Sequence, residues 1–377
     1  MTKSKIPPAG RDVGKLNTVF DSLYRAVSTQ EPPIDGFGFK SMKSAVLVLI
    51  DGFGVTNLRA RSGHAKNLFR LFDAQKRSIR CEFPSTTVVS LSGLTTGVRS
   101  SEHGLIGYNV RDPKANELTN LLSGWERKGS NPKPWKSVQT ISERQGAVVV
   151  NVVSNPEYEK SGFTSLTMPG AVFHGVQDIE DRVLKAIDVG SKVGNLVYLY
   201  IPELDQLGHM YGSESAAWSE LLEQIDAALG PLLESRIPVV VTSDHGMVDV
   251  PIERQIHLDE IEIFASNVAL AGGDTRSSFI YLREGVDKTA FTAELEELLG
   301  EVVWIADWDE LAAAGYVTQP QNPDRRYPDL ALMARKSVTL YDRRTARPRS
   351  LQMVGHHGSI TDAEMQVPLI YAGSLRD

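Results

Sequence analysis

Six residues able to ligate a metal recur along this chain, each at or near the end of an apolar run. Asp51 follows VLVLI, Asp205 and His209 lie in IPELDQLGHM, Asp244 and His245 follow VVVTS, and a last histidine lies in VGHHGS, where His356 and His357 are adjacent. Carboxylate oxygens with imidazole nitrogens suit Zn2+, with Mn2+ as the alternative, and no cysteine cluster competes for the role. Two such ions a few ångströms apart can clamp the attacking and leaving oxygens of a phosphoryl transfer. The hydroxyl for that attack is offered by FPSTTVVSLSGLTTG at 83–97, through Thr86 or Thr87. Coordination to an ion would remove its proton without a histidine base. The helical run behind the Thr pair would aim backbone N–H groups at a bound anion. Together these features describe an in-line displacement through a covalent phosphothreonine, followed by hydrolysis. Taken singly, each has a plainer reading: Asp-Gly as a turn, D-x-x-x-H on a solvated helix, Thr residues as helix caps. Their conjunction at strand ends is what points to a site.

The positions of these residues dictate what must hold them. An Asp inside a buried strand is costly, but at a strand's C-terminal end it sits on the rim where α/β proteins collect ligands. Ala45–Ile50, Ser78–Phe83, Ala147–Val153, Leu196–Ile201 and Pro238–Thr242 read as strands. Helical spacing recurs at 67–74, Val88–Leu94, Asp178–Val189 and Ser215–Leu233. This alternation predicts an α/β fold, a three-layer α/β/α core around a mostly parallel sheet. Asp205 and His209 share a face if one helical turn spans them, although Gly208 weakens a helix there. Residues 1–42 are expected to form an N-terminal strap. Residues 43–250 and 346–377 would make the catalytic core. Residues 251–345 carry strand and helix patterns of their own and are expected to form a small α+β cap overhanging the site. Its Arg276, Arg325 and Arg326 would then favour anionic leaving groups at the mouth.

A net charge of −7 gives no reason to expect nucleic-acid binding. Hydrophobic content of 41% and charged content of 23% are ordinary for a soluble enzyme. A single cysteine, Cys81, excludes an intrachain disulfide. No apolar window is long enough to span a membrane and the N-terminal residues form no secretory signal, so a cytoplasmic location is the expectation. The implied partner is a small-molecule phosphate ester; the oligomeric state is unspecified. The rival of another class is a non-catalytic binding protein with one structural metal.

With these residues assembled, the chain resembles the alkaline phosphatase superfamily, and most of all its nucleotide pyrophosphatase/phosphodiesterase branch. The resemblance covers about Ser44 to Ala372. Its anchor is a nucleophile ten residues before the Gly of a Thr-Gly pair, which at Thr96-Gly97 selects Thr87. EHGLIGYNVRDP at 102–113 is similar to the family's H-G-I stretch, and Pro134-Trp135 with Gln145-Gly146 to another of its segments. The resemblance implies one metal on Asp205, His209 and His357, and a second on Asp51, Thr87, Asp244 and His245. His357 is chosen over His356 because the family's last ligand directly precedes a Gly. It also implies an alkaline phosphatase-like fold, two Zn2+ ions, and hydrolysis of phosphodiester or pyrophosphate bonds in nucleotide-like substrates. Phosphomonoesterase and phosphonate hydrolase activities are the alternatives within the superfamily. Where the branch carries an Asn three residues after the nucleophile, this chain has Ser90. Asn109 is the nearest match to the branch's phosphate-contacting Asn. Ser90, Asn109 and the neighbouring Tyr108 are therefore the candidate substrate contacts. Trp135 and Tyr158 are aromatic residues able to stack on a base.

Overall fold

The structure, a computed structural model, describes residues 6–28, 36–125, 133–321 and 323–376. Six strands form the main sheet: β1 (Ala45–Ile50), β2 (Val149–Ser154), β3 (Val172–Gly175), β4 (Asn195–Ile201), β5 (Pro238–Thr242) and β6 (Ile370–Gly373). Their spatial order is β6-β5-β1-β4-β2-β3, parallel except for β6, which runs antiparallel beside β5. Every residue of β1 is buried. Ala45, Leu47 and Leu49 enter one core and Val46, Val48 and Ile50 the other, as the two-residue period of a strand requires. Fully burying each of the Val, Leu and Ile side chains stabilises the fold by about 1.5–3 kcal/mol. The first core also takes Leu16, Phe20 and Leu23 of α1 (Leu16–Ser28) and Val88, Leu91 and Leu94 of α2 (Thr87–Thr96). The second takes Val183 and Ala186 of α3 (Ile179–Gly190) and Trp218, Leu222 and Ile225 of α5 (Ala216–Leu233); α4 (Glu203–Tyr211) lies between those two helices in sequence. Helices thus cover both faces of the sheet, giving the α/β/α sandwich that the strand–helix alternation requires.

Register decides where the rim lies. Ile50 is opposite Ile201, and Leu49 is opposite Thr242. The three adjacent strands β5, β1 and β4 therefore end level with one another, so Asp51, Asp244-His245 and the start of α4 share one edge. This is the edge at which open α/β sheets bind ligands.

A second sheet of six strands runs Val303–Ala306, Leu330–Ala334, Ser277–Leu282, Val268–Asp274, Asn109–Arg111, Leu118–Asn120, all antiparallel. Four of these strands come from the 251–345 segment, and the last two follow α2 in the chain. Ile280, Leu330 and Leu332 pack on one face against Phe291 and Leu295 of α6 (Lys288–Leu299). Phe279, Tyr281, Ala331 and Met333 on the other face enter the core that holds Leu47 and Leu49. The strand expected over Ser78–Phe83 is Ser78–Arg80 alone, paired with Gln366–Pro368 outside the main sheet. Glu82 explains the shortening. Its fully buried carboxylate turns away to accept hydrogen bonds from Ser100 N (2.9 Å) and Ser100 Oγ (3.0 Å), with Arg99 Nε at 2.8 Å.

Candidate metal centre and active site

Three imidazoles and three carboxylates from distant parts of the chain meet at the rim. His245 Nε2 lies 3.4 Å from both Asp51 Oδ1 and Asp244 Oδ2. His209 Nε2 is 3.2 Å from Asp205 Oδ2, and His357 Nε2 is 4.0 Å from Asp205 Oδ1. The His245 and His357 rings stack with centroids 3.7 Å apart. Two sets, Asp51–Asp244–His245 and Asp205–His245–His357, each have ligand atoms within 4.8 Å of one another. His245 belongs to both, and His209 completes the second through Asp205.

The imidazoles are all oriented in the same way. Nδ1 of His209 faces the Gly355 carbonyl at 2.8 Å, Nδ1 of His245 faces the Gly246 carbonyl at 3.2 Å, and Nδ1 of His357 faces the Ser85 carbonyl at 2.9 Å. A ring that donates its Nδ1–H to a carbonyl presents the Nε2 lone pair to the site, as metal-ligating histidines do. His356 is different. Its Nε2 faces the Met353 carbonyl at 3.1 Å and its Nδ1 faces Thr275 Oγ1 at 3.0 Å, so both nitrogens are engaged away from the cluster.

Buried carboxylates this close repel one another. Burial, and then the charges of Asp244 and Asp205, push the Asp51 carboxyl well above its usual range. Burial and Asp205 raise Asp244 to about 6. Burial disfavours charge on Asp205 too, but His209, His357 and His245 outweigh it and hold that carboxyl low. Against the pull of burial, Asp205 in turn raises His209 to about 9. Burial lowers His245, and burial with the neighbouring His245 takes His357 down to about 4. Asp51 Oδ1, Asp205 Oδ1 and Asp244 Oδ2 are buried with no hydrogen-bond partner among the described residues. Uncompensated charge of this kind is expensive. Oxygens without partners, facing imidazole lone pairs, fit a pair of divalent cations in both donor type and placement.

Local structure explains how each piece is held. Thr86 immediately precedes α2 without a side-chain cap bond and Thr87 is the helix's first residue, with Thr87 Oγ1 3.2 Å from His245 Nε2. Ser85 ties the same loop to the His357 turn, donating Oγ to the Ser359 carbonyl at 2.7 Å and accepting from Gly358 N at 3.2 Å. The i, i+4 pair Asp205 and His209 does lie on a helix, α4. Gly208 is tolerated there because a Cβ would come within 2.3 Å of Met247 Sδ, so the bare backbone admits the Met beside the site.

Two cavities open from Thr87. One, of about 680 Å³, is lined by Thr86, Asn109, Tyr108, Asp205, His209 and His357 among others. The second, of about 460 Å³, is lined by Asp51, Tyr158, Tyr200 and Phe173 among others. Thr87, Asp205, Leu122 and Gln206 belong to both walls. Ser90 reaches neither cavity; its hydroxyl donates to the Asp244 carbonyl at 2.8 Å and steadies that turn. Trp135 also lines neither cavity. The arginines expected at the mouth are elsewhere. Arg276 is buried against Glu364, Arg326 binds Asp324 and the Gly104 carbonyl, and Arg325 lines neither cavity.

Three residues escaped the sequence reading. Tyr200 donates its hydroxyl to Asp51 Oδ2 from the end of β4. Its signal was a tyrosine next to the last residue of the strand in LVYLYI, one of two tyrosines there. Ser243 accepts from Phe53 N at 2.9 Å and donates to the His245 carbonyl at 2.8 Å, joining the turns that carry Asp51 and His245. Asp274 lines the larger cavity from the end of a second-sheet strand, and no local pattern marked it.

Residues 45–360 match the family described as Type I phosphodiesterase / nucleotide pyrophosphatase. An uncharacterized pyrophosphatase/phosphodiesterase of Schizosaccharomyces pombe is 25% identical over 253 residues, 61% of this chain and 51% of that protein. Human ectonucleotide pyrophosphatase/phosphodiesterase family member 5 is 25% identical over 236 residues, 58% of this chain and 48% of its own length. The chain thus spans about half the length of these curated relatives. The solved structure of the human family member 5 superposes with a TM-score of 0.63 at 19% identity, covering 87% of each chain. An inactive Thr-to-Ala form of the murine protein, in complex with AMP, gives 0.62 at 17% identity and 88% of each chain. These two likenesses establish the shared fold. With the family match running from β1 to the turn after His357, the chain belongs to the type I phosphodiesterase / nucleotide pyrophosphatase family of the alkaline phosphatase superfamily.

Proposed function

We propose that the protein is a two-zinc hydrolase that cleaves phosphodiester or pyrophosphate bonds in nucleotide-like substrates, with Thr87 as the nucleophile. The observation that carries this reading is the position of Thr87 Oγ1, beside His245 Nε2 and at the junction of two cavities. A phosphorus atom against Thr87 can carry one substituent into each cavity. A diester has two such substituents, whereas a monoester has one and would leave a cavity unused. AMP bound to the murine relative supports a nucleotide on one side of that phosphorus. The Tyr158, Tyr200 and Phe173 wall of the smaller cavity offers it aromatic faces.

Asp205, His209 and His357 would hold one ion, and Asp51, Asp244, His245 and Thr87 Oγ the other. When bound, the ions would lower the pKa of the Thr87 hydroxyl and offset charge developing on the phosphoryl oxygens. The opening amides of α2 have no acceptor within the helix and face an anion held at Thr87. Asn109, on the larger cavity's wall, offers a side-chain amide to a non-bridging oxygen. Thr87 Oγ attacks phosphorus as the bond to the leaving oxygen breaks, giving a covalent Thr87 phosphodiester that keeps the other substituent on phosphorus, and the free leaving group. Water then forms the new P–O bond, the Thr87 ester breaks, and a phosphomonoester departs with the hydroxyl restored.

The test is turnover of the nitrophenyl ester of thymidine 5′-phosphate against p-nitrophenyl phosphate, with Zn2+ or Mn2+ added. The diester should be cleaved faster by on the order of a hundredfold or more. A preference for the monoester, or no turnover with two ions bound, would sink the proposal.

A further inference from the structure

Resting on that reading, we propose that the larger cavity selects leaving groups that are neutral or carry a cation, and that Asp274 sets the selection. Thr87 sits with the Asp51–Asp244–His245 group, so in-line departure directs the leaving oxygen toward Asp205, His209 and His357. Those three residues line the 680 Å³ cavity, which therefore receives the leaving group.

The wall of this cavity is not built for a polyphosphate. Apart from Asp205 and the candidate ligands His209 and His357, its charged residues are Glu117, Asp274 and Asp342 against one arginine, Arg347, which is exposed. Asp342 is answered by Arg344 at 2.8 Å. Asp274 has no cationic side chain within ion-pair distance among the described residues, and its hydrogen bond comes from the adjacent Thr275 N at 2.7 Å. Its position is close to the reacting end. A Cβ on Gly358, the residue after His357, would lie 3.3 Å from the Asp274 Cβ. Its charge also reaches the rings of His209 and His357 and the phenols of Tyr108 and Tyr341. Leu118, Leu270, Tyr108 and Tyr341 give the cavity an apolar body. Thr86 Oγ1, buried and without a partner among the described residues, adds a free hydroxyl to the same wall. A carboxylate without a cationic partner, beside an apolar surface, attracts an ammonium group and repels a second phosphate.

The test uses three substrates with one nucleoside and one scissile linkage, on the full chain loaded with zinc. Cytidine diphosphate ethanolamine and cytidine diphosphate propanol differ only in an ammonium replaced by a methyl, on a leaving group with one phosphate; CTP supplies a leaving group with two. Wild-type kcat/KM should favour the ethanolamine compound over the propanol compound by about fivefold, and over CTP by on the order of tenfold. Asp274→Asn should bring the first ratio to about one, and Asp274→Lys should reverse it. Calorimetry on Thr87→Ala protein should show the same preference for ethanolamine phosphate over propyl phosphate, without any turnover. A first ratio unmoved by both Asp274 variants, or a wild type that prefers CTP, overturns the assignment while leaving the phosphodiesterase reading intact. If none of these substrates nor the thymidine nitrophenyl ester is cleaved with two ions bound, the reading itself fails and this assignment falls with it.

Discussion

Thr86 and Thr87 are adjacent, yet only Thr87 Oγ1 faces an imidazole of the cluster; Thr86 Oγ1 has no partner to lose. Thr87→Ala should therefore cut kcat by about 10³-fold or more while the fold and most metal binding persist. Thr86→Ala should cost less than about tenfold, and steady-state kinetics on both variants would expose a reversed order. Asp244 and His357 belong to different halves of the cluster. Asp244→Asn and His357→Ala should each lower zinc from about two ions per chain to about one, with anomalous scattering showing a different ion lost in each. Loss of the same ion from both would break the assignment of ligands. Metal affinity should also depend on pH. Asp244, raised to about 6, and His209, raised to about 9, favour their protonated forms in the metal-free fold. That preference holds at low pH and is lost as pH climbs through each value, whereas a bound ion requires both groups deprotonated. Zinc binding must then release protons. Its apparent affinity should rise by about tenfold per pH unit from pH 7 toward 9, and more steeply below 6. A flat profile in competition titrations would show that these groups are not ligands.

At the scale of elements, the clamp between the second sheet and the ligand turns is the feature with most leverage. Arg276 donates Nε to Glu364 Oε1 at 2.9 Å and Nη2 to Oε2 at 2.8 Å, and both side chains are buried. Glu364 Oε1 also accepts from Ser359 N at 2.9 Å, two residues beyond His357, and its backbone carbonyl accepts from Gly246 N at 2.8 Å. One ion pair thus joins a hairpin turn of the second sheet to the turns that carry His245 and His357. Removing the arginine strands a buried carboxylate. Arg276→Ala should destabilise the protein by about 3–5 kcal/mol in urea unfolding and weaken zinc binding with it. Stability within about 0.5 kcal/mol of wild type would mean that the clamp contributes nothing net.

The whole molecule behaves as two sheets sharing a core, because Phe279, Tyr281 and Met333 of the second sheet pack with Leu47 and Leu49 of β1. Replacing residues 251–345 by a short Gly/Ser linker removes Phe279, Tyr281, Met333 and Arg276 together. The shortened chain should lose cooperative thermal unfolding and bind no zinc, while the intact chain melts in a single transition. A folded deletion variant retaining two ions would show that the main sheet stands alone. The same coupling between sheets divides what is written locally in the chain from what is not. The α/β sandwich is legible in the sequence because its signals are local: a strand such as AVLVLI and the helices between strands are each written within one short segment. The candidate ligand set is legible for a related reason, since strand ends in an α/β sheet converge on one rim, and Asp51, Asp205 and Asp244 lie at or just beyond them. The helix under Asp205 and His209 is obscured by Gly208, whose reason is Met247, on a different turn. Arg276 reads as a surface cation in sequence; the fold supplies Glu364, 88 residues away, and buries the pair. Tyr200 and Asp274 acquire meaning only from Asp51 and the His357 turn, each more than 80 positions distant. The proposed chemistry rests on residue types at local landmarks, which the chain specifies segment by segment. Which charges face the substrate and which are buried in pairs depends on packing between the two sheets, and only the folded molecule decides that.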